Sequence, residues 1–364
     1  PPPKQPFRTG LVEDDAAVHP GSDREGDAGR EIGLYQTGDH VYRGALGISL
    51  VIFPFVAGDY LLYLANLTGV LIIGALGLNI LTGFTGQISL GHAAFVGVGA
   101  YAAAVGATRF GLPFFLAIPM GGAVACAAGT VVGVPSLRVK GLYLAIATLA
   151  AQVIFEWIFS NWDSVTGGIR GINVPPASLF GVALNTDFRI YYLIFAMVAM
   201  FTYFARNLFR TRVGRAFIAI RDRDISAELM GINLFRYKIL SFMVSSFYAG
   251  VAGGVWVYFT KVVTPEYFPL SLSIQFLAII VVGGLGSIQG TIFGAIFMTL
   301  VPELLKAGTE SARAVFPDAM SYLFPMRDIL FGAMIVGFLV FEPHGLAEMW
   351  HRTKRYFALW PFKN

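Results

Sequence analysis

Four long stretches of this chain contain no Asp, Glu, Lys or Arg, and they limit what it can fold into. A helix needs roughly 20 apolar residues to cross a bilayer, and each stretch is long enough: Tyr60–Thr108, Phe110–Leu137, Ile239–Thr260 and Tyr267–Pro302. Charged residues make up 13% of the chain, against about 25% in soluble domains. Because lipid offers no hydrogen bonds to the backbone, such runs must be helical. We therefore predict an all-α, polytopic membrane protein.

Hydrophobic runs divide the chain into a membrane domain, residues 44–342, and two tails. The polar, acidic residues 1–43 are predicted to be mostly disordered. Residues 343–364 form a basic tail. About ten hydrophobic segments, including half-helices, are predicted, at 44–58, 60–82, 88–108, 113–134, 141–160, 189–206, 236–259, 267–284, 290–305 and 328–341.

Basic residues predict the orientation. Arg138 and Lys140, the stretch 206–238 and the C-terminal tail follow the fourth, sixth and tenth of these segments, all of them even-numbered. An even number of crossings with the N-terminus inside places all three on the cytoplasmic side, where Lys and Arg are enriched. Both termini are then cytoplasmic.

Two glycine-rich interruptions predict broken or re-entrant helices. Residues 267–302 would make only about 54 Å of helix, short for two crossings of about 30 Å each. The first interruption contains Gly83 and Gly86 before "QISLG", and the second contains Gly283, Gly284 and Gly286 before "SIQG". This faint echo suggests a two-fold internal repeat, with halves at 44–165 and 189–342. The two breaks would then face each other along the transport path.

Polar residues in the first break have two interpretations. Gln87, Ser89 and His92 either satisfy backbone groups freed by the break or line a path through the membrane. For His92 we favour the structural role, because no carboxylate in the charge-free runs could relay its proton. A lone histidine and a lone cysteine, Cys126, predict neither a metal site nor a disulfide. No cofactor and no catalytic residue is expected.

The polar segment 207–235 predicts an amphipathic cytoplasmic helix. Its apolar residues recur at near-helical spacing: Phe217, Ile218, Ile220, Ile225, Leu229 and Met230. Such a helix could lie on lipid headgroups or dock into another protein. Acidic residues Asp222, Asp224 and Glu228 would repel anionic lipid, which favours docking.

Several separated motifs together resemble the LivM-type permease of branched-chain amino acid ABC importers. The resemblance covers about residues 60–346, in the order "LTGFTGQISLGHAAFVGVGAYAAA", "GLYLAIATLA", "TGGIRGI", "VGRAFIAIRDRDISAELMGINLFRYKILSF", "VVGGLGSIQGTIFGA" and "FEPHGL". It implies a subunit of the bacterial inner membrane that pairs with a second, LivH-type permease. Two cytoplasmic ATPases would drive transport, and an external binding protein would deliver the amino acid.

The resemblance also assigns roles to residues. Segment 207–235 would contain the coupling helix to the ATPase, with Arg221, Asp222, Glu228, Met230 and Gly231 as the candidates, on a loose match to the importer pattern. An outer loop at Thr166, Gly167 and Gly168 would face the binding protein. Ile169 and Arg170 follow where family members usually carry small polar or acidic residues.

Three alternatives remain open at this point. A permease of the same family could carry urea, short amides or aromatic acids. An intramembrane enzyme would need facing nucleophiles, paired carboxylates or a metal constellation, and the sequence has no such pattern and no phosphate-binding G-x-x-x-x-G-K-[ST] motif. A channel or proton-coupled carrier would need intramembrane acids or histidines, whereas Asp59, Glu156 and Glu303 lie near span ends.

Overall fold

The computed structural model describes residues 49–136, 142–179, 182–183, 186–313, 345–359 and isolated positions between 329 and 340. The chain divides into two units, Pro1–Val56 and Ala57–Asn364. Within the first unit, residues 49–56 form helix α1. The predicted tail at 1–43 lies outside the described residues, and so does half of the predicted segment 328–341.

The second unit is built from helices. Its first half contains α2 (Asp59–Leu78), a π-helical turn (Asn79–Gly83), α3 (His92–Arg109), α4 (Phe114–Ser136), α5 (Leu142–Asn161), α6 (Asp163–Thr166) and α7 (Asp187–Leu208). Its second half contains α8 (Arg212–Asp222), α9 (Asp224–Leu229), α10 (Leu234–Thr260), α11 (Leu270–Gly283), α12 (Ile288–Arg313) and α13 (Gly345–Leu359).

Seven described helices are long and apolar enough to cross a membrane, which confirms a polytopic helical protein. They span Asp59–Gly83, Phe114–Pro135, Tyr143–Asn161, Asp187–Leu208, Leu234–Thr260, Pro265–Gly283 and Ile288–Gly308. The predicted segment 88–108 is helix α3, which begins only at His92 and is almost entirely buried.

Short strands and 3₁₀ turns lie at the end of the bundle where α5 ends and α10 ends. Strand β1 (Ile172–Asn173) pairs antiparallel with β4 (Val262–Val263), with Ile172 opposite Val263. Strand β2 (Ser178–Leu179) pairs with β3 (Val182–Ala183). The 3₁₀ turns are Gly168–Arg170 and Pro265–Tyr267.

The centre of the bundle is helix α10, which contacts α2, α3 and α4. Glycines bring these helices close together. A Cβ on Gly253 of α10 would lie 1.9 Å from the carbonyl oxygen of Val96 in α3, and one on Gly99 would lie 2.2 Å from Gly250 Cα. Small residues at helix contacts are typical of membrane proteins, because packing rather than water exclusion holds their helices together.

Candidate functional site

The first glycine break is a re-entrant segment. Helix α2 widens into the π turn Asn79–Gly83, and residues 84–91 are not helical. Helix α3 then begins at His92, whose Nε2 lies 2.8 Å from the carbonyl oxygen of Gly74. Gly74 precedes Gly83 by about 13 Å of helix. The chain therefore turns back into the bundle before α3 starts, as predicted for a broken helix.

Side chains within the break satisfy its backbone. Thr82 Oγ1 donates to the carbonyl of Gln87 at 2.9 Å, and Thr85 Oγ1 donates to that of Ile80 at 2.9 Å. Gln87 Nε2 donates to Ser241 Oγ of α10 at 2.7 Å. Gln87 Oε1 is buried and has no donor within the described residues. Ser89 is also buried.

The start of α3 is capped by two other helices. The backbone amide of Ala93 donates to Ser273 Oγ of α11 at 2.9 Å, and the backbone amide of Ala94 donates to Gln152 Oε1 of α5 at 2.7 Å. Gln152 Nε2 donates in turn to the carbonyl of Phe268, just before α11, at 2.8 Å. Free amides at the start of a half-helix inside a membrane can hold a carboxylate. Here Gln152 and Ser273 occupy them.

His92 belongs to this packing. Its ring is buried and meets the ring of Phe276 edge-on, with centroids 5.2 Å apart. Its Nε2 contact to Gly74 joins α3 to α2. The geometry supports the structural interpretation of His92, and no group of three His, Cys, Asp or Glu side chains among the described residues could hold a metal ion.

The two glycine breaks meet, together with Arg221 and Gly345, in what we call the glycine junction. Asn79 Nδ2 donates to Thr291 Oγ1 at 2.7 Å and to the carbonyl of Ser287 at 3.0 Å. The amide of Gly286 donates to Asn79 Oδ1 at 2.9 Å. Asn79 therefore ties the first break to the second, although sequence reasoning did not single it out.

Glycine is required where these segments touch. A Cβ on Gly83 would lie 2.5 Å from the Gly286 amide nitrogen. Gly286 has a φ of +77°, which favours glycine. A Cβ on Gly345, at the start of α13, would lie 2.5 Å from the backbone nitrogen of Gly284. The motifs "GFTGQ" and "GGLGS" thus meet Gly345 at one location. The two facing breaks differ in length, with residues 84–91 in one and 284–287 in the other.

The polar segment 207–235 protrudes from the bundle as two short helices. A single helix through Phe217–Met230 was predicted, and this is wrong, because α8 ends at Asp222 and α9 begins at Asp224. Phe217 and Ile220 of α8 are buried, whereas Ile225, Leu229 and Met230 are 70%, 86% and 79% exposed. We call these three exposed residues the knob. Glu228 is exposed beside them, and Gly231 ends α9 at a φ of +84°.

The loop containing "TGGIR" lies at the opposite end of α10. Thr166 is buried, and its hydroxyl donates to the carbonyls of Phe159 and Trp162 at 2.9 and 2.8 Å. Its oxygen also accepts from the amide of Gly168 at 3.2 Å. The side chains that the loop exposes are Ile169 and Arg170. Thr166 and the two glycines therefore shape the loop, and the two residues after them form its surface.

Comparison with known proteins identifies the family. Residues 60–339 match the model of the branched-chain amino acid transport system / permease component. The chain belongs to this family. The permease is 30% identical over 329 residues to the high-affinity branched-chain amino acid transport system permease protein LivM of Escherichia coli K12, which covers 84% of this chain and 74% of that protein.

Two further relatives broaden the comparison. The probable branched-chain amino acid transport permease protein LivH of Methanocaldococcus jannaschii is 24% identical, over 79% of the permease and 92% of the relative. The high-affinity branched-chain amino acid transport system permease protein LivH of Escherichia coli K12 is 26% identical, over 48% of the permease and 57% of the relative. The permease thus resembles both types of subunit. No solved structure gives a significant match.

Proposed function

We propose that this permease is one of two membrane subunits of an ABC importer that carries branched-chain and other hydrophobic amino acids. Its similarity to LivM and LivH proteins supports this substrate class and the pairing with a second, LivH-type permease. Two ATPases would bind on the cytoplasmic side, and an external binding protein would deliver the substrate. The complex would lie in the plasma membrane.

The observation that carries the proposal is the exposure of the knob. Neighbouring exposed apolar side chains rimmed by polar residues mark sites where a protein or a membrane is bound. Leu229 and Met230 are more than three-quarters exposed, and Asp222 and Glu228 flank them. We assign the knob, which includes Met230, to ATPase docking, with Asp222, Glu228 and Gly231 beside it, and we assign the neighbouring Arg221 to coupling with the ATPase.

The occupied start of α3 supports a weakly binding passage. Ala93 and Ala94 have their amides bonded to Ser273 and Gln152, so they are not free to hold a substrate carboxylate. We therefore place selectivity in the external binding protein. The path itself is proposed to run by the breaks, past Gly83, Gly86, Gln87, Ser89 and His92 and the facing Gly283, Gly284 and Gly286.

The test is uptake into proteoliposomes that contain both permeases and the ATPases, with ATP inside and liganded binding protein outside. We expect ATP-dependent accumulation of radiolabelled leucine, and unlabelled isoleucine and valine should compete with it. If only urea, short amides or aromatic acids competed, the protein would instead be a permease of this family for one of those solutes. Gln87→Ala in the same assay tests its place in the path, since full transport by a normally assembled variant would remove it.

A further inference from the structure

Arg221 lies in the last turn of α8, but its side chain turns away from the knob and into the glycine junction. Its Nη1 donates to the carbonyl oxygen of Gly83 at 2.9 Å. A Cβ on Gly286 would lie 2.4 Å from the same nitrogen. The Cα of Arg221 would lie 3.5 Å from a Cβ on Gly86. One side chain thus reaches both breaks.

Among the described residues, no backbone amide donates to the carbonyl that Arg221 binds. Backbone amides of the loop bond the carbonyls of Asn79, Leu81 and Thr82, and the Thr85 hydroxyl bonds that of Ile80. Gly83 is the last residue of the π turn, and its carbonyl receives the guanidinium instead. A cation is favoured there, because the carbonyl end of a helix carries partial negative charge.

We propose that Arg221 is the positioning residue that transmits movement of the knob to both glycine breaks. Helix α8 carries Arg221 at its end, and α9 follows directly with Ile225 and Leu229 of the knob. A displacement of the knob therefore moves the guanidinium against Gly83 and Gly286. The inference rests on the proposed function, since it takes the knob as the site where the ATPase docks.

This role differs from that of a docking contact. A docking contact would lose ATPase binding when truncated, whereas a positioning residue would lose the link between hydrolysis and transport. Lysine could reach the Gly83 carbonyl but lacks the planar fork that lies against both breaks. Arg221→Lys should therefore be intermediate between the parent protein and Arg221→Ala.

The experiment compares Arg221→Ala and Arg221→Lys with the parent protein in the complete reconstituted complex. Three quantities are measured, namely the amount of ATPase that co-purifies, the stimulation of ATP hydrolysis by liganded binding protein, and leucine taken up per ATP hydrolysed. For Arg221→Ala we expect normal co-purification and about a tenfold loss of uptake per ATP, a size typical of coupling between sites. Arg221→Lys should lose less.

Arg215→Ala is the matched control. Arg215 is exposed on the same helix and lies outside the glycine junction, so its variant should keep parental coupling. A second variant, Gly286→Ala, should reduce coupling by pushing the guanidinium aside, and its added effect should shrink in an Arg221→Ala background. That non-additivity would not arise if Arg221 served only to stabilise α8.

Two outcomes would overturn the inference. Loss of ATPase co-purification from a monodisperse Arg221→Ala complex would make Arg221 a docking contact. Parental uptake per ATP in that variant would leave Arg221 without a role in coupling. A parent complex that shows stimulated hydrolysis but no leucine uptake would instead contradict the proposed substrate, and the effect of Arg221→Ala on that stimulation would still decide the coupling role.

Discussion

Gln152 joins three helical segments through one amide group. Its oxygen accepts from Ala94 and from Ser273 Oγ, and its nitrogen donates to the carbonyl of Phe268. All of these groups are buried. The sequence does not predict this role, because the surrounding residues "LAAQVIF" have the composition of an ordinary membrane span.

Gln152→Leu is predicted to destabilise the permease. The variant removes the acceptor for the Ala94 amide and the donor for the Phe268 carbonyl, at about 1–3 kcal/mol for each buried group left unpaired. Thermal unfolding of the purified protein should show a Tm lower by several degrees. Ser160→Ala on the same helix is the control, because the Ser160 hydroxyl donates within its own helix, to the backbone carbonyl of Glu156. An unchanged Tm for Gln152→Leu would contradict the capping role.

Helices α3 and α10 approach until their backbones touch. Gly253 faces the Val96 carbonyl, and Gly99 faces Gly250. In each case the atoms that a Cβ would meet belong to backbone, which cannot rotate out of the way. This contact fixes how the re-entrant break sits against the central helix.

Gly253→Ala is predicted to force α3 and α10 apart, because its Cβ would lie 1.9 Å from the Val96 carbonyl oxygen. We expect a Tm lower by several degrees and a smaller monodisperse fraction on size-exclusion chromatography. Gly308→Ala in α12 is the control, since a Cβ there meets nothing within 4 Å. Alanine in place of an exposed helical glycine should leave the Tm equal or raise it. Equal behaviour of the two variants would argue against the close contact.

The three apolar side chains of the knob are largely exposed. Leu229→Asp is predicted to weaken ATPase docking at least tenfold, because it places a charge where an 86% exposed apolar side chain would be buried by the partner. The measurement is ATPase co-purified per permease. Ile169→Asp, at a 76% exposed position of the "TGGIR" loop at the other end of α10, is the control for added charge. Equal docking by both variants would contradict the assignment.

At the scale of the whole molecule, α10 separates the knob from the "TGGIR" loop by about 40 Å of helix. The eight bases within residues 206–238 predict that the knob end is cytoplasmic. Ile225 and Ile169 offer a matched pair of exposed isoleucines at the two ends.

Labelling with a membrane-impermeant maleimide tests this orientation. In a Cys126→Ala background, Ile169→Cys should react in intact cells, and Ile225→Cys should react only after the membrane is opened. Reaction of Ile225→Cys in intact cells would place the knob outside and would contradict both the orientation and the assignment of the knob to ATPase docking.

The sequence alone determined the helical membrane class, most spans and the positions of both breaks. These follow from local properties, since charge-free runs of about 20 residues must be helical in lipid and Gly83, Gly86, Gly283 and Gly286 interrupt them. The motifs also carried the family resemblance. The division of the segment 207–235 into two helices was missed, because apolar spacing continues across Arg223 while its backbone is extended.

Only the tertiary structure decided which polar residues meet. Asn79 and Ser287 are more than 200 positions apart in the chain yet bonded. Arg221 was a sequence candidate for coupling to the ATPase, and only the structure shows that its guanidinium binds the Gly83 carbonyl. Gln152 carries no local signal of its partners in α3 and before α11. Hydrogen bonds between distant segments depend on the packing of whole helices, and sequence periodicity specifies which face of a helix is apolar but not which neighbour covers it.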